Sequence, residues 1–268
     1  MAVVLGVWCA ALAPVAEAAP PELPTPGAGF DYQLGGAYAP PPGVTMVERD
    51  RTARPAGAGY DICYVNGFQT QPEDSQRFAD QHPVLVVRSG GQPLADPGWP
   101  DEFLFDTSTA ARRDALAAMV TPWIEGCRAS GFDAVEIDNL DSYTRSGGAL
   151  TAADNLAMAT TYAQAAHRVG LAIAQKNAAE LAPALRAAGY DFAVTESCVR
   201  FTECADYERQ YPVVLDIEYA DTKGGDELGE DEFAAACAGP GRSAVMILRD
   251  HDLVTPAEDG YVYRRCGT

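Results

Sequence analysis

The sequence predicts a (β/α)₈ barrel, the TIM-barrel fold of the α/β class, built as a single domain. From residue 102 onward, short apolar segments alternate with helical stretches, and a glycine often separates a helix from the next apolar segment. The apolar segments are nearly continuous, as expected of parallel strands that are covered by helices. The length of 268 residues also suits one barrel of about 250 residues.

The strand candidates are short apolar runs, most of which end in polar residues. They occupy residues 31–35, 60–67, 84–89, 102–106, 133–139, 171–177, 192–197, 213–219 and 244–250, with residues 44–48 as a weaker candidate. These are enough for the eight strands of a barrel. A doubly wound open sheet is the alternative, but no G-x-G-x-x-G motif follows any of these runs.

The helix candidates carry recognisable start and stop signals. An amphipathic stretch over residues 109–130 stops at Gly131, a residue type that commonly ends helices. Thr151 and Asp154 have the spacing of a capping box and therefore predict the start of the next helix. A shorter helix is expected over residues 178–188.

The N-terminal region predicts export. Residues 1–19 are apolar except for Glu17 and end in the small-x-small pattern Ala16-Glu17-Ala18, which is typical of a cleaved signal peptide. Residues 20–29 are Pro-rich and are interpreted as a linker, which leaves residues 30–268 as the barrel domain. No apolar run reaches the roughly 18 residues of a membrane-spanning helix. We therefore expect a secreted, extracellular protein.

The cysteines predict disulfides. Without residues 1–19 the chain has an even number, as expected of an exported protein with a disulfide framework. They are Cys63, Cys127, Cys198, Cys204, Cys237 and Cys266. Fifteen pairings are possible; proximity in sequence favours Cys198 with Cys204, then Cys237 with Cys266, and elimination leaves Cys63 with Cys127. A metal site is the competing interpretation, but the chain has no C-x-x-C pair and its three histidines are scattered, so we expect no metal.

The charge excludes whole classes of partner. The chain has 19 Lys and Arg against 38 Asp and Glu, which gives a formal net charge of −19. Nucleic acids and anionic membrane surfaces would be repelled by such a protein. With 47% hydrophobic and 21% charged residues, the composition is that of a globular domain and not of a disordered chain.

Polar side chains follow the strand candidates, and in a (β/α)₈ barrel such residues converge on the active-site mouth. They are Asn66, Arg88, Asp106, Asp138, Asn139, Lys176, Asn177, Glu196, Glu218, Tyr219, Arg249 and Asp250. Asp106 and Asn177 would equally suit the capping of a following helix. Asp138 and Glu196 can face each other like the two carboxyl groups that flank a glycosidic bond in glycosidases. Spacing alone is weak evidence, because structural ion pairs occupy similar positions.

Three segments carry a family resemblance. They are GFDAVEIDNLDSYTRSGG (residues 131–148), the AH-x-x-GL-(x)₄-KN segment that ends at Asn177, and the E-x-C-(x)₅-C segment that begins at Glu196. Together with VVLDIEY they resemble the secreted endo-α-1,4-polygalactosaminidases of glycoside hydrolase family 114, from about Tyr32 to the C-terminus. This resemblance implies a (β/α)₈ barrel that cleaves α-1,4-linked galactosamine polymers internally, with retention of configuration and without a metal or other cofactor. The catalytic acid pair of the family falls on Asp138 and Glu196.

The residue roles are hypotheses at this point. We assign Asp138 as the nucleophile, because Asn139 and Lys176 are placed to keep it ionised, and Glu196 as the acid/base; the reverse assignment remains open. Candidate substrate contacts include carboxylates for a cationic amino sugar and aromatic faces for sugar rings. They are Asn139, Asp141, Tyr143, Lys176, Asn177, Glu218, Tyr219 and Asp106, with Trp99 as a further aromatic.

Two alternatives remain open for the function. One is an inactive barrel that binds sugar, and the other is a glycosidase acting on another α-linked hexosamine glycan. The sequence departs from the family pattern around residues 31–50 and 63–69, which leaves the substrate contacts open. We expect a monomer whose partner is a cationic amino-sugar polysaccharide.

Overall fold

The computed structural model describes residues 20–223 and 225–267, so the predicted signal peptide lies outside the described residues. The described strands are β1 (Gly29–Tyr32), β2 (Val44–Asp50), β3 (Tyr60–Asn66), β4 (Arg88–Ser89), β5 (Gln92–Pro93), β6 (Ala134–Asp138), β7 (Ala172–Lys176), β8 (Phe192–Glu196), β9 (Val214–Tyr219), β10 (Val245–Arg249) and β11 (Tyr263–Arg265). The described α-helices are α1 (Ser75–Gln81), α2 (Ala110–Ser130), α3 (Ser142–Arg145), α4 (Ala152–Arg168), α5 (Ala182–Ala188), α6 (Cys204–Glu208) and α7 (Glu230–Ala238), with short 3-10 turns at Pro72–Asp74 and Ala179–Leu181. None of these helices is long and apolar enough to cross a membrane.

Nine strands form one curved sheet in the order β1-β2-β3-β6-β7-β8-β9-β10-β11. Neighbours from β1 to β10 pair in parallel, and β11 adds to β10 in the antiparallel sense. β1 and β10 also lie against each other, so the eight parallel strands form a nearly closed barrel. The predicted (β/α)₈ barrel is confirmed.

The contact between β1 and β10 depends on a buried side chain. Arg249, at the end of β10, is fully buried; it donates to the backbone carbonyl of Tyr32 and lies 3.2 Å from Oδ1 of Asp31. Its Nε also donates to the carbonyl of Val262 at 2.9 Å. A buried guanidinium needs such partners to offset its lost hydration. Arg249 therefore joins the two strands. The sequence had suggested that it would project into the mouth of the barrel, and that expectation is wrong.

Two predicted strands lie outside the barrel. Residues 84–89 and 102–106 belong to an excursion between β3 and α2, where Val86 pairs with Phe105 in an antiparallel bridge. Leu85, Val86, Val87, Leu104 and Phe105 of these runs are buried, which explains why the runs resemble barrel strands. The barrel instead uses the weaker candidate, which forms the seven-residue strand β2. Arg88 is exposed on the β4–β5 hairpin and does not reach the mouth.

The helix signals are confirmed. Thr109 caps α2 by accepting a hydrogen bond from the backbone N–H of Arg112, and the helix ends at Gly131, whose left-handed backbone (φ 99°) favours glycine. The predicted capping box of Thr151 and Asp154 begins α4, with both reciprocal hydrogen bonds present. These helices pack outside the sheet and leave its strand ends free to form the site.

Alternation along each strand separates an inner core from an outer one. Along β6, Ala134 belongs to the cluster inside the barrel, while Val135 and Ile137 pack against the helices. Because side chains of a strand alternate between faces, Glu136 and Asp138 also point into the barrel. The same rule places Lys176 of β7 on the inner face.

Disulfides join the barrel to its outer elements, and all three expected pairings are confirmed, two from sequence proximity and Cys63 with Cys127 by elimination. Cys63–Cys127 connects β3 to α2, Cys198–Cys204 closes the loop after β8, and Cys237–Cys266 connects α7 to the residue after β11. Residues 20–28, predicted as a linker, have no regular structure, although Leu23 packs against the inner core.

Candidate active site

A cavity of about 1010 Å³ opens at the carboxyl ends of the parallel strands. Its floor includes the last residues of β6, β7, β8 and β9, which are Asp138, Lys176, Glu196 and Tyr219. Residues 96–102 of the excursion form one wall, and residues 251–253, after β10, form another. The cavity is therefore located where (β/α)₈ barrels build their active sites.

A shared backbone conformation ends three of these strands. Asn139, Asn177 and Ser197 directly follow β6, β7 and β8, and all three have positive φ, at 66°, 47° and 62°. Asparagine tolerates this left-handed region better than most residues, whereas for serine it is strained. Such outliers are typical of functional sites, where the surrounding structure compensates for the strain. Here they turn the chain sharply and leave the last side chain of each strand in the cavity.

Three donors surround the carboxylate of Asp138. The hydroxyl of Tyr64 donates to Oδ2 at 2.8 Å, and the backbone N–H of Asn139 donates to Oδ1 at 2.6 Å. The ammonium nitrogen of Lys176 lies 3.5 Å from Oδ2. Donors and a nearby cation favour the ionised form of a carboxyl group. The side chain of Asp138 is only 18% exposed, so a substrate can reach its carboxylate from only a small part of the cavity.

Glu196 has a similar but more open environment. Tyr219 donates its hydroxyl to Oε1, and Asn177 both donates to Oε2 at 3.2 Å and accepts from the backbone N–H of Glu196 at 2.8 Å. Lys176 Nζ lies 3.4 Å from Oε2. The side chain is 30% exposed. Asn177 therefore fixes the carboxyl group and does not merely cap the following helix.

Lys176 connects the two carboxylates. Its nitrogen is within 3.5 Å of both Asp138 and Glu196, and it donates to the hydroxyl of Tyr32 at 2.8 Å. The side chain is 2% exposed. A buried ammonium costs several kcal/mol unless it is paired, so carboxylates must accompany it. These neighbouring negative charges raise the pKa of Lys176 well above its usual value against the opposing effect of burial. The ammonium thus stays charged at neutral pH and holds the two carboxyl groups near each other.

A second layer of polar residues supports the upper edge of the site. Arg145 of α3 donates to Asp96 at 2.5 Å, to Asp141 at 2.7 Å and to Asn139 at 2.9 Å. Asn139 in turn donates to Asn66 at 3.1 Å. Asp141 lines the cavity, but its carboxylate already forms an ion pair with Arg145.

The cavity wall is strongly acidic. Ten of its lining residues are acidic, whereas three are Lys or Arg. The acidic residues are Asp50, Glu73, Asp74, Asp96, Glu102, Asp138, Asp141, Glu196, Asp226 and Asp252. Burial raises the pKa of Glu102 to about 7. The imidazole of His251 stacks on Tyr219 with ring centres 4.2 Å apart, and the indole of Trp99 is exposed at the rim. Such a surface attracts cationic ligands.

Seven of the ten predicted site residues line this cavity. They are Asp138, Asn139, Asp141, Lys176, Asn177, Glu196 and Tyr219. Tyr143 lies outside the cavity lining, and its hydroxyl donates a hydrogen bond to Oε1 of Glu180. Asp106 accepts from the backbone N–H of Ser108 and pairs with Arg112 near the start of α2, which is the local role that its position allowed.

Glu218 lies outside the cavity because of the alternation along β9. Leu215, Ile217 and Tyr219 point into the barrel, so Asp216 and Glu218 point outward. Glu218 is fully buried and accepts from the backbone N–H of Val199 at 2.7 Å. Burial, with the neighbouring Asp216 carboxyl, raises the pKa of Glu218 to about 9. We therefore do not retain Glu218 or Asp106 as a substrate contact.

Several cavity residues were missed by the sequence analysis. Tyr32 and Tyr64 are inner-face residues of β1 and β3, and the two-residue period of these strands could have identified them. Asp96, Glu102 and Arg145 lie on the excursion and on α3, and their partners are distant in sequence. Only a three-dimensional structure places them together.

Comparison with known proteins agrees with the barrel fold. The model of glycoside-hydrolase family GH114 matches residues 10–268. A search of curated protein sequences found no match. Among solved structures, Ega3 from Aspergillus fumigatus, in complex with galactosamine, is similar with a TM-score of 0.68 and 21% identity over 94% of this chain and 100% of that one. The glycoside hydrolase domain of PelA from Pseudomonas aeruginosa has a TM-score of 0.56 and 13% identity over 87% and 97% of the two chains. The family match covers nearly the whole chain, and the protein therefore belongs to glycoside hydrolase family 114 and is a glycoside hydrolase.

Proposed function

We propose that this protein is a secreted, endo-acting glycoside hydrolase that cleaves α-1,4-linked galactosamine polymers with retention of configuration. The observation that carries the proposal is the placement of Asp138 and Glu196 around Lys176 on the floor of an acidic cavity. Membership of family 114 and the similarity to a galactosamine-bound structure support the substrate class. The predicted signal peptide and the disulfides support an extracellular location.

The two carboxyl groups share a contact with Lys176, which limits the distance between them, as a retaining mechanism requires. Both lie within 3.5 Å of the same nitrogen atom, which keeps them close together. Retaining glycosidases place their carboxyl groups about 5 Å apart, whereas inverting enzymes need roughly 6.5–9.5 Å to admit a water molecule.

In the first step, Glu196 protonates the glycosidic oxygen while Oδ of Asp138 attacks the anomeric carbon from the opposite face. The bond between that carbon and the leaving oxygen breaks, and a glycosyl ester on Asp138 forms. In the second step, Glu196 takes a proton from water, whose oxygen attacks the same carbon and releases Asp138. Two inversions give net retention. Asp138 suits the nucleophile because three donors favour its carboxylate form, and the more exposed Glu196 suits the proton-transfer role.

The acidic wall supports a cationic substrate. A galactosamine unit without an acetyl group carries an ammonium near neutral pH, and an acidic cavity concentrates such groups. Trp99, exposed at the rim, offers an aromatic face for a sugar ring or its amine.

A polymer panel tests the function. The protein is incubated with polygalactosamine, its N-acetylated form and other α-linked hexosamine polymers, and new reducing ends are counted. We expect new ends from deacetylated polygalactosamine, in short oligomers rather than monosaccharides, and none from the Asp138→Asn variant. Activity on another polymer alone would identify a different substrate, and binding without new ends would identify a sugar-binding barrel.

A further inference from the structure

Two buried glutamates lie beneath the active-site carboxyls. Glu48 of β2 and Glu136 of β6 point into the barrel, and each side chain is fully buried. Their carboxyl groups are within hydrogen-bonding range of each other across the interior. Unless one of the two carboxyl groups is protonated, both oxygens of Glu48 and one oxygen of Glu136 have no hydrogen-bond partner among the described residues.

This contact requires a proton. Two carboxylates repel each other and have no hydrogen atom to share, so a close contact between them is favourable only when one is protonated. Burial and the charge of Glu136 raise the pKa of Glu48 well above its usual value, whereas burial raises that of Glu136 only to about 7. Glu48 therefore holds the more tightly bound proton, and the pair carries at most one negative charge, which lies on Glu136.

That negative charge is directed at Lys176. Oε1 of Glu136 lies 3.4 Å from Nζ, the same distance as Oε2 of Glu196 and close to the 3.5 Å of Asp138. One ammonium thus faces three carboxyl groups at nearly equal distance. The groups around it are Tyr32 on β1, Glu48 on β2, Tyr64 on β3, Glu136 and Asp138 on β6, Glu196 on β8 and Tyr219 on β9. Asn177 also faces Glu196, and the outward-facing carboxyl group of Asp216 on β9 interacts with it electrostatically.

Without Glu136, the arrangement would conflict with acid catalysis. An ammonium 3.4 Å from Glu196 favours its carboxylate form, but a catalytic acid must hold a proton until the leaving oxygen takes it. A third carboxylate on the same ammonium reduces its net effect on Glu196, and it also repels a negative charge there directly. Both effects favour the protonated form of Glu196.

We propose that Glu136, which shares one proton with Glu48, is a positioning residue that offsets the charge of Lys176 and so lets Glu196 retain the proton that it donates. This inference rests on the proposed function. Neither glutamate lines the cavity, so neither can contact the substrate itself. The mechanism described above uses Lys176 to hold two carboxylates, and Glu136 allows it to do so without deprotonating the acid.

The test is the alkaline limb of the pH profile of kcat/KM, which reports the catalytic acid of the free enzyme. In Glu136→Gln this limb should move about one unit to lower pH, because a negative charge near Glu196 is lost. Glu48→Gln is the matched control: it replaces a neutral, proton-donating acid by a neutral amide donor, so the limb should stay in place. An unmoved limb in active Glu136→Gln, or equal shifts in both variants, would overturn the proposal.

A second measurement does not depend on catalysis. A protonated carboxyl has a distinct infrared carbonyl band, and the difference between wild type and Glu48→Gln at pH 7 should contain one such band that the variant lacks. Its absence would overturn the shared proton even if Glu136→Gln failed to fold. If the wild type hydrolyses none of the polymers, the proposed function fails, and the infrared result still decides where the proton resides.

Discussion

The hydroxyl of Tyr64 donates a 2.8 Å hydrogen bond to Oδ2 of Asp138 from the neighbouring strand. Burial keeps the pKa of Tyr64 well above its usual value, so the hydroxyl remains a donor throughout the working pH range. Tyr64→Phe removes this donor from the proposed nucleophile. A hydrogen bond to a charged group contributes about 1.5–3 kcal/mol, so kcat/KM should fall roughly 10- to 100-fold.

Tyr60→Phe is the matched control for this variant. Tyr60 lies on the same strand, β3, but at its other end, where the hydroxyl donates to the carbonyl of Glu22 at 2.8 Å. We expect its kcat/KM to stay within about twofold of wild type, with a loss of stability near 1 kcal/mol. Equal losses of kcat/KM in both variants would contradict a specific role for Tyr64.

Azide rescue distinguishes the two carboxyl roles. In Glu196→Gly, the nucleophile Asp138 remains, so azide should attack the glycosyl ester and give an α-glycosyl azide from an activated aryl α-glycoside. In Asp138→Gly, azide should take the place of the nucleophile directly and give the β-azide. Proton NMR of the anomeric centre identifies each product. The opposite pair of products would reverse the assignment.

The sequence predicted most of the barrel and most of the cavity floor. The strands β6 to β10 are buried apolar runs, and α2 and α4 begin with side-chain caps, so local signals were sufficient for these elements. The residues at strand ends, such as Asp138, Lys176 and Glu196, follow from the rule that parallel strands end at one face. Two disulfides followed from sequence proximity and the third by elimination, because the loops that they close are separate along the chain.

The remaining features depended on tertiary context. Residues 84–89 and 102–106 have the composition of barrel strands, but composition cannot show which apolar surface covers them. Glu218 was predicted at the mouth because it ends an apolar run next to Tyr219. The two-residue period of the strand, counted from Leu215, would have predicted that the side chain of Glu218 points out of the barrel. The pairing of Arg145 with Asp96 joins α3 to the excursion, and no local pattern encodes that contact.

The outward-facing acid pair predicts a pH-dependent stability. Burial raises the pKa of Glu218 to about 9 from an ordinary value of 4.5, so the folded state binds its proton more tightly than the unfolded state. Its stabilising contribution is therefore complete below about pH 4.5 and declines as the pH rises to about 9, by up to about 1.4 kcal/mol per pH unit. Urea unfolding at pH 5, 7 and 9 measures this decline.

Glu218→Gln should flatten that dependence, since an amide is neutral at every pH. The variant should match wild type at pH 5 and exceed it at pH 9. The exposed Glu125 of α2 provides the control, because Glu125→Gln should follow the wild-type curve at every pH. A Glu218→Gln curve parallel to wild type would show that this carboxyl does not retain its proton.

The disulfides should differ in their effects on stability and activity. Cys63 and Cys127 are 64 residues apart and Cys198 and Cys204 only six, so opening the first pair relaxes the unfolded chain more. Serine replacement of both partners should cost about 4 kcal/mol for the first pair and about 2 for the second. The loss of kcat should instead be larger when Cys198 and Cys204 are replaced, because the loop that they close starts two residues after Glu196. Unfolding curves and initial rates at a temperature where both variants are folded test this order.

The acidic wall predicts that catalysis on a cationic polymer depends on salt. Ten acidic side chains line the cavity against three Lys or Arg, so ammonium groups of a deacetylated polymer are attracted over several ångströms. Raising the ionic strength from about 0.01 to 0.15 M shortens the Debye length from about 30 to 8 Å. We therefore expect kcat/KM on deacetylated polygalactosamine to fall steeply over this range, while kcat changes little. The fully N-acetylated polymer, which is neutral, is the control, and any turnover of it should be nearly independent of salt. A flat profile on the deacetylated polymer would show that the acidic wall does not guide the substrate.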